Sequence, residues 1–301
     1  MSNLKEVRTR IGSIRSTRQI TSAMKMVSAS KLHRAQQSIY PLRTYASYLH
    51  GIIGDILPQL PYAARKRFVD PTARGEALVV SVSSNKGLCG TYNTLAIKKT
   101  LTHVRALEDE GYKVKLFLIG KKAERFFSKA GFEVYETDHD LVDKADAASA
   151  DQFSSAILNS FSEGRFERVD VVYYQFRNAV FQELAVEQVL PLDFESLASG
   201  ANVAPETPAG LDEPHFGFLL EPDPEDVSET LIPRFLSTNF FRIFLESSAS
   251  EHGARMTSMH KATDNADDLL HSLTLTYNKA RQAMITREIM EIVGGAEVLR
   301  Q

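Results

Sequence analysis

The amino-acid sequence predicts an α/β protein with long helices: an antiparallel two-helix coiled coil from the N- and C-terminal helices, plus a central Rossmann-like α/β domain. Three observations predict it. Apolar residues at the start recur at 3–4 spacing, as Leu4, Val7, Ile11 and Ile14 and then Ile20, Met24 and Val27, which places them on one face of a helix. Short β-branched runs then alternate with helical stretches through the middle of the chain, the pattern of a largely parallel sheet. Finally, the 68 residues after Pro233 contain no proline and carry small or apolar residues at heptad spacing.

Taken in order, residues 1–57 read as the N-terminal coiled-coil helix, interrupted only by Pro41, Gly51 and Gly54; Pro41 marks either a kink or a break near Tyr40. Residues 58–75, with Pro58, Pro61 and Arg65-Lys66-Arg67, read as a connector. The central α/β domain covers 76–194. In it ALVVSVS (77–83), KVKLFLIG (113–120), VDVVYYQF (169–176) and VEQVLPL (186–192) read as strands, with helices near 92–107, through Phe126 to a stop at Gly131, and over 151–162.

Residues 195–230 hold nine acids, five prolines and neither Lys nor Arg, so they read as an acidic connector, with HFGFLLE (215–221) as a candidate edge strand. Residues 231–301 read as the C-terminal coiled-coil helix. Its heptad rows are Met259, Ala266, Leu273 and Ala280 in one line and Ala262, Leu269, Thr276, Ala283 and Met290 in the other.

Length shapes the expected architecture. At 1.5 Å per residue, a helix of about 68 residues runs roughly 100 Å, twice the diameter of about 50 Å expected for a compact chain of this size. Such a helix protrudes and needs a partner for its apolar stripe. The long N-terminal helix supplies one, so the two ends of the chain pair as a shaft on a globular foot.

Charge separates the same regions. Net charge is −3, yet residues 1–50 hold nine Lys or Arg against one acid, whereas residues 133–230 hold four basic and 22 acidic residues. A basic amphipathic helix suits a nucleic acid, a membrane surface or an acidic protein surface. The strongly acidic middle argues against nucleic acid and for a protein.

A single cysteine, Cys89, excludes an internal disulfide and a Cys-based zinc site, and suits a reducing compartment. The N-terminal residues carry charges in place of an apolar leader, and no window approaches 18 uncharged apolar residues. Neither secretion by this route nor a membrane span is expected.

The turn SSNKGLCG follows a strand and precedes a helix, where phosphate loops occur. A phosphate loop needs Lys and a hydroxyl after its second Gly; here Lys86 precedes Gly87, no Gly lies five residues before it, and G-x-G-x-x-G is absent as well. The turn reads as a tight βα connection, and Cys89 as a small buried hydrophobe. The eight histidines show no metal-ligand spacing, and the acid pairs in 138–146 and 221–229 lack a neighbouring His or Gly-rich cradle. No catalytic residue, metal or cofactor is predicted. The alternative, a stand-alone α/β nucleotide-binding enzyme with a helical oligomerisation arm, would require the phosphate motif that is missing.

The last 24 residues, NKARQAMITREIMEIVGGAEVLRQ, put Met284, Ile285, Ile289, Met290, Ile292 and Val293 on nearly all sides of the helix. A helix apolar all round is a buried helix, so another protein is expected to surround it.

Four segments, RIGSIRSTRQITSAMKMVSASKLHRAQ, SSNKGLCGTYN, the EPDP at 221–224, and ATDNADDLLHSLTLTYNKARQAMITREIMEIVGGAEVL, closely resemble the gamma chain family of F-type ATP synthases. The resemblance spans essentially the whole chain. It implies a non-catalytic central rotor shaft of a proton-translocating complex, coupling rotation of a membrane-embedded c ring to conformational change at catalytic beta chains. The implied partners are the alpha and beta chains, the epsilon chain and the c ring. The implied location is peripheral, at the cytoplasmic face of the cell inner membrane or the equivalent organelle face, with membrane association only through the c ring.

Residue by residue, the resemblance implies that Met24 faces an acidic helix-turn-helix loop of the beta chain, with Lys25 standing where many relatives carry an acid. It implies that Lys279, Arg281 and Gln282 engage a catch loop of the beta chain, that Thr286 and Glu288 make further stator contacts, and that Phe218, Leu220 and Glu221 meet the c ring or epsilon chain. The cysteine pair of thiol-regulated members has no counterpart, since Cys89 stands alone.

Overall fold

The computed structural model describes residues 2–56, 60–71, 75–192, 221 and 223–298. The candidate strand at 215–221 therefore lies, but for Glu221, outside the described residues. The elements are α1 (Ser2–Ile56), α2 (Tyr62–Val69), β1 (Glu76–Val82), α3 (Tyr92–Asp109), β2 (Lys113–Ile119), α4 (Lys121–Ala130), β3 (Val134–Asp138), α5 (Ala147–Ser162), β4 (Arg168–Phe176), β5 (Gln182–Leu190) and α6 (Pro224–Val298). The chain forms two compact units, one of residues 1–29 with 255–301 and the other of residues 30–254.

The larger unit is built on a five-stranded sheet of order β3-β2-β1-β4-β5. β1 pairs parallel with β2 and β4, β2 pairs parallel with β3, and β5 returns antiparallel beside β4. The chain steps outward from β1 to β3 through α3 and α4, then crosses back through α5 to β4. Central β1 is buried from Ala77 to Val82, because a parallel strand covered on both faces needs apolar side chains on both.

One face of the sheet packs on α3 and α4 through Val104, Leu107, Ala123 and Phe127. The other face carries Leu49, Ile53 and Ile56 of α1, Phe153 and Ile157 of α5, and Ile232, Phe235, Phe240 and Phe244 of α6. Phe153 meets Phe117, Phe240 and Phe244 in edge-on geometry at 5.0, 4.9 and 5.4 Å between ring centres, joining sheet, α5 and α6 in one aromatic cluster.

Several local expectations change. Residues 58–75 are not wholly a connector, since α2 occupies Tyr62–Val69 and buries Phe68 completely against the core. β3 (VYETD) reads poorly as a strand because, as an edge strand, it needs no continuous apolar face. β5 is half-buried along most of its length, with Glu183 and Gln188 exposed and only Val189 and Leu190 fully buried, as suits an edge strand. Pro41 neither breaks nor ends α1: the helix runs through it, and its exposed ring lies on the face turned to water. α6 likewise runs through Pro233.

In the smaller unit the first part of α1 pairs antiparallel with the last part of α6. Thr21 meets Thr263, and Arg18 bridges to Asp267 at 2.8 Å. The residues of α6 turned inward are Met259, Thr263, Ala266, Leu270, Leu273, Tyr277, Ala280 and Met284, alternating four and three apart. This corrects the second heptad row beyond Ala262, which is half-buried: Leu269, Thr276, Ala283 and Met290 are exposed, and the row lies one residue later, at 263, 270, 277 and 284. Spacing alone leaves open whether the row at 259 steps first by three or by four. The partner helix decides that phase.

Ile20 and Val27 are corrected in the same way. Both are exposed, while the inward position directly after each is taken by Thr21 and Ser28.

Candidate functional site: the surface of the paired terminal helices

Of the residues singled out from sequence, seven lie in the smaller unit. Met24 is half-buried and so is Lys25, whereas Lys279, Arg281, Gln282, Thr286 and Glu288 are all exposed. Their exposure follows from the seam, because inward positions 280 and 284 leave these five on the outer faces of α6. Thr286 donates its hydroxyl to the Gln282 carbonyl at 3.0 Å, so its oxygen remains an acceptor for a further partner. Glu221 is exposed in the other unit, and Phe218 and Leu220 lie outside the described residues.

The antiparallel register also explains the apolar tail. With Thr21 opposite Thr263 and Arg18 opposite Asp267, Ser2 stands opposite position 283 or so, at one residue of α1 per residue of α6. Beyond that point α6 has no α1 beside it. There Ile285, Ile289, Met290, Ile292 and Val293 are all exposed, with Ile292 at 71%. A second exposed apolar group, Ile20, Met26 and Val27, lies on α1. Exposed apolar residues thus stand on both of the paired helices.

The turn at 83–90 spends its polar atoms internally. Ser83 donates to the carbonyls of Ile119 and Gly120 and accepts from the Ala123 amide; Ser84 donates to Lys86 O at 2.6 Å and receives Asn93 Nδ2 at 2.8 Å. Asn85 Nδ2 donates to His139 O and to Asp143 Oδ2, and Asn85 Oδ1 accepts the Lys121 amide. Asn93 Nδ2 also lies 3.1 Å from the buried Cys89 sulfur. These groups tie the turn to its own neighbours. Their donors are not gathered toward a phosphate.

Sequence reasoning missed a second polar centre, in the larger unit. Arg242 Nη2 contacts both oxygens of Glu187 at 2.8 Å, Nη1 donates to Tyr173 Oη at 2.9 Å, and Nε donates to Asn239 Oδ1 at 3.0 Å. Tyr173 in turn donates to Glu187 Oε2 at 2.8 Å. Burial alone pushes the Glu187 carboxyl up; the Arg242 guanidinium, with the bonds from Asn239 and Tyr173, overcomes this and holds it below the usual range. His50, packed 5.9 Å from Phe235, is shifted down, chiefly by burial. No local spacing could have exposed this centre, since Arg242 lies 55 residues from Glu187 and 69 from Tyr173.

Among the described residues no group of three or more His, Cys, Asp or Glu is placed to hold a metal ion, and no helix is long and apolar enough to cross a membrane.

Comparison with known proteins follows this geometry. The ATP synthase family model matches residues 3–299. The ATP synthase gamma chain of Flavobacterium psychrophilum is 42% identical over 300 residues, covering 100% of both chains. That of Cytophaga hutchinsonii is 40% identical over 306 residues, covering 99% of each. Among solved structures, a chain of the Euglena gracilis mitochondrial ATP synthase superimposes with a TM-score of 0.64 at 21% identity, covering 99% of this chain and 95% of that one. A chain from a structure of the central stalk and c ring of the Tetrahymena thermophila mitochondrial ATP synthase gives 0.56 at 22% identity, covering 81% of this chain and 99% of that one. These two likenesses bear on the fold: long terminal helices with a mixed α/β sheet. With the family model matched from residue 3 to 299 and full-length relatives at 40% and 42% identity, the chain belongs to the ATP synthase gamma chain family.

Proposed function

We infer that the chain is the non-catalytic central rotor shaft of a rotary ATP synthase, coupling the turning of a c ring to conformational change at catalytic beta chains. One observation carries this reading furthest: the paired terminal helices keep exposed apolar residues on the outside of both, with α6 extending beyond the start of α1. An isolated enzyme with a helical arm gains nothing from that surface. A shaft enclosed by other chains buries it.

The proposed mechanism needs no reacting group on this chain. Two unlike helices have no rotational symmetry, so a ring of three identical beta chains meets a different face at each position. Each catalytic site is thereby biased toward a different conformation, and turning the shaft cycles the bias. The contacts proposed are Met24 against an acidic beta-chain loop and Lys279, Arg281, Gln282, Thr286 and Glu288 against other stator surfaces. The exposed cations and the amide suit carboxylates and carbonyls of a neighbour. Phe218, Leu220 and Glu221 are proposed to meet the c ring or the epsilon chain. Membrane association would then be indirect, at the cytoplasmic face or its organelle equivalent.

The test is affinity isolation of the tagged chain from detergent-solubilised membranes, followed by ATPase assay. Co-isolation of Mg-ATPase activity with alpha, beta, epsilon and c chains supports the reading, and Arg281→Ala with Gln282→Ala should lower ATP turnover while leaving the chain in the complex. Recovery of the chain alone, or ATP hydrolysis by the purified chain itself, overturns it.

A further inference from the structure

The polar centre of the larger unit continues beyond Arg242 to the other long helix. Arg43 in α1 donates from Nε to Glu246 Oε1 of α6 at 2.9 Å, across 203 residues of sequence, and from Nη2 to the backbone carbonyl of Phe176, the last residue of β4. The Glu246 side chain is 1% exposed, so its charge is removed from water; Arg43 holds one oxygen, and Arg242 Nη1 stands 3.8 Å from the other. Arg242 in turn holds Glu187 of β5 and Tyr173 of β4. Two arginines and two glutamates thus tie two helices to two strands, around an open cavity of about 680 Å³.

This arrangement does something that the apolar core beneath it does poorly. Leu49, Ile53 and Ile56 of α1 and Phe235 and Phe240 of α6 hold the helices on the sheet by buried area, a non-directional force that opposes separation more than rotation. A guanidinium that bonds a carboxylate through one nitrogen and a carbonyl through another has its angle defined on both sides. Arg43 therefore fixes where α1 sits about its own axis relative to α6 and to the end of β4.

We propose that Arg43, seated on buried Glu246 and the Phe176 carbonyl, is a positioning residue that sets the torsional stiffness between the two long helices and the α/β body. The proposal rests on the central-shaft reading, in which that joint carries torque. Lysine in place of Arg43 can satisfy Glu246 or the carbonyl, but lacks the fork that satisfies both at once.

The experiment measures angular fluctuation in the assembled complex. The complex is fixed to a surface through its stator chains, a probe is attached at Lys129→Cys on exposed α4, and the angle is recorded at rest. Arg43→Met and Glu246→Gln should each raise the angular variance about twofold or more, with Arg43→Lys in between, as expected when directional bonds are lost one by one. Single removals leave a buried group unpaired and can impair folding, so the paired variant Arg43→Met with Glu246→Gln is also measured; it removes both charges at nearly constant volume.

A purely stabilising role would lower the melting temperature and leave the variance of assembled complexes unchanged, and that result overturns the proposal. Failure of the paired variant to assemble also overturns it, since an angular lock is dispensable for assembly. If instead the unaltered chain's probe does not turn when ATP is added, it is the central-shaft reading that fails.

Discussion

Thr21 and Thr263 meet hydroxyl to hydroxyl at 2.9 Å across the seam of α1 and α6. Thr21 also reaches Arg18 O at 3.0 Å and Thr263 reaches Met259 O at 2.8 Å; with one proton each, one hydroxyl donates across the seam while the other donates to its own helix. A part-buried hydroxyl pair of this kind is sensitive to losing one member and tolerant of losing both. Thr21→Val or Thr263→Val alone should therefore cost about 1 kcal/mol, while the double variant should be nearly neutral. Thermal unfolding of the four chains, followed by circular dichroism, tests this; additive losses would mean that the two hydroxyls do not interact.

The shifted heptad row gives a second expectation. Ala266 is 4% exposed and Leu269 is 53% exposed. Ala266→Leu should force the helices apart and cost about 1–3 kcal/mol, whereas Leu269→Ala should change stability by no more than about 0.5 kcal/mol in the isolated chain. Urea midpoints decide, and the reverse ranking would restore the row through 262, 269 and 276.

Gly120 joins β2 to α4 at a φ of 91°, and a Cβ placed there would lie 2.3 Å from the Ser83 carbonyl oxygen. The strain and the clash both fall on backbone. Gly120→Ala should lower stability by about 3 kcal/mol or more. A loss below about 1 kcal/mol in denaturant titration would mean that the 83–90 turn yields easily.

Tyr174 stacks on Tyr92 with ring centres 4.3 Å apart and donates to the Tyr92 carbonyl at 3.1 Å. Burial, with a smaller contribution from Cys89, pushes its phenol up to about 12. In the unfolded chain the phenol loses its proton near the ordinary value of 10, so between these pH values the unfolded state binds fewer protons and stability falls as pH rises. The stabilisation, roughly 2–3 kcal/mol, should be complete below pH 10 or so and be lost through pH 12 or so. Denaturant unfolding at stepped pH should show a shallower alkaline decline for Tyr174→Phe, and an equal decline would assign it to other groups.

Local pattern made the helices and most of the sheet legible. ALVVSVS, KVKLFLIG and VDVVYYQF announce β1, β2 and β4 because each carries a stretch of at least four consecutive buried residues, which requires apolar side chains on both faces there. β3, acidic and at the edge, carries no such constraint, and α2 is a short helix whose one deeply buried residue, Phe68, leaves no repeat to detect. At the paired helices, Met24 and the 279–288 residues were reached through resemblance. The half-burial of Met24 and the exposure of Lys279, Arg281, Gln282, Thr286 and Glu288 depend on which neighbours turn inward.

Periodicity is a property of neighbours along the chain, so the amphipathic terminal helices, their approximate extents and the alternation of strand and helix between them followed from residue order alone. Tertiary structure decided the rest: the antiparallel return of β5, the one-residue phase of the α6 row against Thr21, and the union of Arg43 with Glu246. Each is a relation between segments, and the 203 residues separating Arg43 from Glu246 leave no local signature of their pairing. Only when α1 and α6 are laid on the same sheet does the cost of a buried carboxylate make the guanidinium opposite it necessary.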